Sequence, residues 1–190
     1  MHADSWALKA KKLGFRSRAV FKLEEILKKT NSLQDDSFVL DIGSAPGGWS
    51  ELIKAMAPAA SVYAIDLLPM DPVKDVFFFQ EDLMNIDKIP EIYSLKLKFH
   101  LVISDLAPNL TGVRAVDEEN IYDLNLETLR TASSYLDEHN GSFIIKTFQN
   151  RMLKKFRTKM EKSFHLVQTY KPAASKSKSG EIYLFGEKPL

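Results

Sequence analysis

The 190-residue chain contains no cysteine, which excludes disulfides and thiolate metal sites and fits a reducing compartment. It contains no apolar run of membrane-spanning length, and its first residues lack the apolar core of a signal peptide. The expectation is a soluble, cytoplasmic protein without membrane attachment, in which the sequon Asn109-Leu110-Thr111 stays unglycosylated. Histidine is scarce and scattered: His2, His100, His139 and His165 show no ligand spacing, so no metal is expected. Two common glycine signatures are also missing. Neither G-x-G-x-x-G for a dinucleotide nor Gly-Lys-Ser/Thr for a nucleotide phosphate occurs.

What remains is an ordinary globular composition, 45% hydrophobic and 27% charged, long enough to bury a sizeable core as one domain spanning residues 1–190. The net charge of +1 conceals a segregation. Residues 1–30 carry eight Lys/Arg against three acids, residues 146–178 carry ten against one, and residues 31–145 carry seven against nineteen. If both basic ends fold onto one side, they form a surface suited to a phosphate backbone. The lysines at 154, 155, 159 and 162 are equally readable as a solvated helix face, whereas Lys9, Lys11, Lys12, Arg16 and Arg18 are stronger candidates for RNA contact.

The organising stretch is FVLDIGSAPGGWSE, Phe38 to Glu51. An apolar strand carrying Asp41 passes into a turn with Gly43, Pro46, Gly47 and Gly48 and then into a helix. Glycines let a ligand lie against bare main chain. The carboxylate beside them favours a ligand with donors or positive charge over a phosphate, and S-adenosylmethionine, with its ammonium and sulfonium, answers that description. Ser61 to Ile65 is a second strand ending at Asp66, placed to accept hydrogen bonds from ribose hydroxyls. Val76 to Gln80 is a third, leading to Asp82, a carboxylate able to accept the exocyclic amine of adenine or to cap a helix.

Further along, Ser17 to Lys29 reads as a helix with Ser17 as its cap, burying Val20, Leu23, Ile26 and Leu27; Lys22 lies at the flank of that stripe. Pro90 interrupts the helical pattern of Leu83 to Lys98, and His100 to Ser104 is a fourth strand ending at Asp105. A loop of about a dozen residues follows, of the kind that works as a lid or substrate clamp. A helix then starts at Asp117 or nearby residues and runs to about Asp137, with Ile121, Leu124, Thr128 and Leu129 facing inward. SFIIKTF is a fifth strand, and Lys146 within it is unusual for a buried strand. After a helix over Met152 to Lys162, strands Phe164 to Thr169 and Ile182 to Gly186 are expected to close an antiparallel hairpin. The fold class is therefore α/β: three layers, a mostly parallel seven-stranded sheet with a terminal antiparallel hairpin, and ligands at the carboxyl ends of its strands.

The ordered set RSRAVFKL (Arg16 to Leu23), DIGSAPGGWS (Asp41 to Ser50), DLLPMDP (Asp66 to Pro72), SDLAPN (Ser104 to Asn109), KTFQ (Lys146 to Gln149) and EIY (Glu181 to Tyr183) resembles the RrmJ/FtsJ family of 2′-O-ribose RNA methyltransferases. The resemblance covers nearly the whole chain from Arg16. It implies a Rossmann-like methyltransferase sheet, with S-adenosylmethionine held at Gly47, Trp49, Asp66, Asp82 and Asp105, beside Asp41 and Gly43. The family's catalytic Lys-Asp-Lys-Glu set falls on Lys22, Asp105, Lys146 and Glu181. Arg16, Arg18, Lys12, Lys176 and Lys178 become the candidate RNA contacts. Two departures stand out: Asn150 replaces the glycine expected after KTFQ, and Lys176, Lys178 and Gly180 replace the arginines often found before the last glutamate.

The chemistry implied is in-line methyl transfer to a ribose hydroxyl, which needs alignment of oxygen, carbon and sulfur and removal of one proton. A free lysine is mostly protonated at neutral pH. Two amines brought together disfavour the second cation, while two nearby carboxylates favour it. Lys146 is the expected base, Lys22 its modulator and clamp, Asp105 the orienter and Glu181 a support. The leading expectation is a monomeric methyltransferase acting on ribosomal RNA within the large subunit, at a uridine. The alternatives are an enzyme for tRNA anticodon-loop ribose and a noncatalytic RNA-binding module.

Overall fold

The computed structural model describes residues 5–176 and 179–190; Lys178 and His2 lie outside the described residues. Seven strands, β1 (Phe38–Ile42), β2 (Ser61–Asp66), β3 (Val76–Gln80), β4 (Leu101–Ser104), β5 (Ser142–Phe148), β6 (Phe164–Tyr170) and β7 (Glu181–Pro189), form one sheet in the order β3-β2-β1-β4-β5-β7-β6. The pairings from β3 through β5 are parallel. β7 enters antiparallel between β5 and β6, so the expected terminal hairpin is present and its last strand fills a gap in the sheet.

Alternation along the strands divides the interior into two layers. Val39, Leu101, Ile103, Ile144, Tyr183 and Phe185 face α1 (Ser5–Lys12), α2 (Val20–Thr30) and α3 (Gly48–Met56). Leu40, Val102, Phe143, Ile145 and Leu184 face the opposite layer, which includes α4 (Pro90–Tyr93), α5 (Arg114–Tyr135) and α6 (Leu153–Glu161). A 3₁₀ helix, Leu83–Lys88, follows β3. None of the described helices is long and apolar enough to cross a membrane.

The helix after the basic segment begins later than its sequence suggests. Ser17 Oγ accepts from Ala19 N at 3.1 Å inside the preceding turn, so Ser17 shapes the approach while Ala19 occupies the cap position without a side-chain bond. Val20, Leu23 and Ile26 are fully buried and Leu27 nearly so, each contributing about 1.5–3 kcal/mol by leaving water. Asn31, in the left-handed region at φ 51, ends the helix by donating its N–H to Leu27 O.

α5 starts at Arg114, within the expected neighbourhood of Asp117. Asp117 accepts from Thr111 N and Thr111 Oγ1, both at 2.7 Å, and from Gly112 N at 3.2 Å, folding the end of the loop back onto the first helical turn. That shortens the irregular segment after β4 to residues 105–113. Ile121, Thr128 and Leu129 are buried as expected; Leu124 is half-buried because it reaches the cleft described below.

The basic ends do not share one side. α6 packs on the layer opposite α1 and α2, so Lys154, Lys155, Lys159 and Lys162 stand across the sheet from Lys9, Lys11 and Lys12. The loop after β6 does return to the α2 side: Ala174 joins that core, and Ala173 N donates to Glu25 at 2.8 Å. Lys171 and Lys176 are exposed on this loop and thus belong with the N-terminal basic segment.

Candidate active site

β1 and β4 are neighbours, and β2 lies on the far side of β1, so the chain crosses over between them. In open α/β sheets such a reversal opens a crevice at the carboxyl ends of the strands. Here a cleft opens at those ends, with Ile42, Gly43, Asp66, Asp82, Leu106 and Leu124 in its lining. Gly43 has φ +77, and a Cβ there would meet Leu106 Cδ2 at 2.5 Å, so the bare turn and the residue after Asp105 fit each other.

Asp66 braces the turn: one carboxylate oxygen accepts from Ala45 N and the other from Leu68 N, both at 2.8 Å. Each oxygen can accept one further hydrogen bond. Asp82 lines the cleft and caps the 3₁₀ helix by accepting from Met84 N at 2.9 Å. Asp41, expected beside the methyl donor, does not reach the cleft lining. It is wholly buried inside β1, where Ser50 Oγ donates to Oδ2 at 2.7 Å and Oδ1 has no hydrogen-bond partner. Burial, reinforced by the charges of Asp105 and Asp66 and opposed by the Ser50 hydrogen bond, raises its carboxyl to about 7.

Trp49, which the resemblance places at the methyl donor, has its side chain in the core. It is 4% exposed, donates Nε1 to Ala19 O at 3.1 Å, and its ring lies 6.0 Å from that of Tyr183. It ties the helix after the glycine turn to α2 and to the lysine cluster. Gly47, at φ +101, faces Arg16, Val73 and Met70.

The two lysines and two acids meet beyond the end of β4. Lys22 is 6% exposed and makes an ion pair with Glu181 Oε1. Lys146 Nζ donates to Asp105 O and lies 3.0 Å from Asp105 Oδ1. That second approach lies off the axis of a hydrogen bond, leaving Oδ1 a buried acceptor without a donor. Desolvation raises the Asp105 carboxyl above its ordinary value; Lys146 and then Lys22 pull it down, and Glu181 pushes it up.

Tyr183 joins the pairs, a residue that sequence reasoning quoted without a role. It stands directly across from Lys146 on β7 and donates Oη to Glu181 Oε1 at 3.1 Å. Burial, followed by the charges of Asp105 and Glu181, holds its phenol far above the usual range, so it stays a neutral donor. The available signal was its position two residues beyond Glu181, which puts both side chains on one face of the strand.

The candidate RNA contacts separate. Lys12 and Lys176 are exposed, and Arg18 is half-buried on the same side. Arg16 is withdrawn from that set. Its guanidinium donates to Glu51 Oε1 at 2.7 Å and to the carbonyls of Pro46, Asp71 and Pro72 at 2.9, 2.7 and 2.8 Å, leaving it turned inward on the protein. Among the described residues, no group of three or more His, Asp or Glu side chains is placed to hold a metal ion.

The family model for FtsJ-like methyltransferases matches residues 15–188. The ribosomal RNA large subunit methyltransferase E of Wigglesworthia glossinidia brevipalpis is 37% identical over 184 residues, 96% of this chain and 90% of that one. The protein of the same name from Francisella tularensis subsp. novicida is 39% identical over 186 residues, covering 96% and 89% of the two chains. Among solved structures, a Plasmodium falciparum protein described as a ribosomal RNA methyltransferase superposes with TM-score 0.81 at 31% identity, over 93% of this chain and 99% of that one. Human methyltransferase-like protein 13 with bound S-adenosylhomocysteine, at 11% identity and TM-score 0.62 over 87% and 81% of the chains, shares the fold.

Proposed function

The chain belongs to the FtsJ-like methyltransferase family, and from that premise we propose that it transfers a methyl group from S-adenosylmethionine to a ribose 2′-hydroxyl of large-subunit ribosomal RNA, at a uridine. One observation supports this reading above the others: Lys22 and Lys146, distant in sequence, are each paired with a carboxylate beside an acid-rimmed cleft.

The residues present suit the methyl donor. Gly43 leaves main chain bare, Ile42, Leu106 and Leu124 offer apolar walls for a flat base, and Asp66 and Asp82 offer acceptors for hydroxyls and an amine. Asp105 Oδ1 is a buried acceptor still lacking a donor. When bound, S-adenosylmethionine supplies an electrophilic methyl on sulfur whose thioether needs no protonation on departure.

The remaining work falls to the protein. Lys146 takes the proton from the ribose hydroxyl as the oxygen attacks the methyl carbon in line with the departing sulfur, and Asp105 fixes the amine's Nζ through two contacts. Lys22, held by Glu181 over the Tyr183 ring, offers ammonium protons to the RNA sugar or phosphate. Lys12 and Lys176 supply positive charge along the approach on the α2 side, and the enzyme acts as a monomer.

The test is to incubate the protein with labelled S-adenosylmethionine and, separately, large ribosomal subunits, free ribosomal RNA and tRNA, then map the modified ribose. Label at a uridine 2′-oxygen of the large-subunit RNA is expected. Label confined to tRNA, or none with any RNA, overturns the proposal. The relatives' names speak of large-subunit ribosomal RNA and leave the methylated atom and base to this experiment.

A further inference from the structure

Arg16 was expected to face RNA, yet its guanidinium is spent on the protein's own backbone. It binds three segments at once: Pro46 O in the glycine turn, Glu51 in the first turn of α3, and Asp71 O and Pro72 O in the loop after β2. The separations of 30, 35, 55 and 56 residues mean that no local structure would otherwise hold these groups together. The near end of that same loop, Asp66 and Leu67, lines the cofactor cleft, and Asp66 in turn grips Ala45 N. The loop is thus pinned at both ends against the glycine turn, by Asp66 on the cleft side and by Arg16 on the other.

The turn is shaped for this strap. Gly47 has φ +101, and a Cβ there would stand 2.9 Å from Arg16 Nη1 and 2.9 Å from Val73 Cγ2, so the guanidinium and the loop lie directly over bare backbone. A planar fork with several donors can reach a carboxylate and three carbonyls at once, whereas an ammonium serves fewer of them. Val73 is buried at the far end of the loop, but Leu67 and Leu68 are 63% and 64% exposed, so side-chain burial does little to hold its cleft end in place.

We propose that Arg16 is a positioning residue for the methyl donor: it sets the shape of the cofactor cleft from the N-terminal segment and touches neither donor nor RNA. The proposal rests on the cleft being the site of S-adenosylmethionine, as argued above. It makes the basic segment that approaches RNA part of the framework of the cofactor site.

The experiment compares the wild type with Arg16→Gln, Arg16→Lys and Glu51→Gln in the full chain. S-adenosylmethionine binding is followed by titration calorimetry, RNA binding by a filter assay, and turnover as kcat and KM for each substrate. Arg16→Gln is expected to raise the donor's Kd and KM by about tenfold, the scale of a broken charge-assisted hydrogen bond, with kcat at saturating donor and RNA affinity little changed. Arg16→Lys should recover part of that loss, and Glu51→Gln, which leaves the three carbonyl bonds, should show a smaller effect in the same direction. Weakened RNA binding with unchanged donor affinity would make Arg16 an RNA contact and overturn the proposal. So would a drop in thermal stability with all binding and kinetic constants unmoved. Absence of donor binding by the wild type would instead sink the assignment of the cleft.

Discussion

Lys22 and Glu181, 159 positions apart in the sequence, form an ion pair with side chains only 8% and 16% exposed. The pair fastens α2 to the start of β7 and sets one amine next to the Lys146–Asp105 pair. Glu181→Ala strands the Lys22 ammonium among packed atoms and should lower stability by about 3 kcal/mol. Lys22→Met combined with Glu181→Leu should regain part of that stability while remaining inactive. Urea unfolding of the three variants measures the first effect and methyl transfer the second. A double variant no more stable than Glu181→Ala would show that the pair is not isolated from solvent.

Gly43→Ala places a side chain at φ +77 and drives a Cβ against Leu106. The backbone alone costs about 1–2 kcal/mol. Leu106 must then move from the cleft wall, so the loss of S-adenosylmethionine affinity should exceed the loss of stability. Calorimetric titration against the methyl donor, paired with thermal unfolding, separates the two.

Asp41 gives the protein a pH dependence of a definite sign. Its carboxyl ionises near 3.8 when exposed and at about 7 when folded, so the folded state retains the proton over that interval. Stability contributed by this group is greatest below the lower value, declines as pH rises between the two, and is constant above the higher. Across the interval one retained proton changes stability by at most about 1.4 kcal/mol for each step of one in pH. Asp41→Asn should flatten that decline, and urea unfolding at pH 5 and pH 8 checks the difference. Equal pH dependence in both proteins would mean that Asp41 is ionised when folded.

The division of basic charge between two faces gives a further test. Lys12→Glu and Lys176→Glu, on the α2 side, should weaken RNA binding and reduce its salt dependence, by about 0.9 in slope for each phosphate left without its lysine. A triple change of Lys154, Lys159 and Lys162 to Glu, across the sheet, should leave the slope nearly unaltered. Filter binding over a salt series decides it; equal effects from both faces would mean that RNA wraps the molecule.

Much of this was legible in the chain itself. Apolar runs ending in Asp66 and Asp105 located strands and crevice because a buried strand has few ways to end at an acid, and Lys146 was visible because a lysine in such a strand is costly without a partner. The fate of Asp41 was not visible: one residue of strand register decides whether a carboxylate lies at the rim or behind it. Arg16 was grouped with the RNA contacts because a basic segment looks alike whether its donors meet phosphates or carbonyls 55 residues away. The helix at 153–161 was placed correctly, but which face of the sheet it covers depends on crossovers that local pattern does not encode.

The direct measurement is single-turnover methyl transfer by Lys146→Ala, alongside calorimetric binding of S-adenosylmethionine to the same protein. The amine's two contacts go to Asp105 and none to the cleft lining. Transfer to RNA should fall by several orders of magnitude while donor affinity stays within about threefold of wild type, less than 1 kcal/mol. Transfer near the wild-type rate would show that some other group removes the ribose proton.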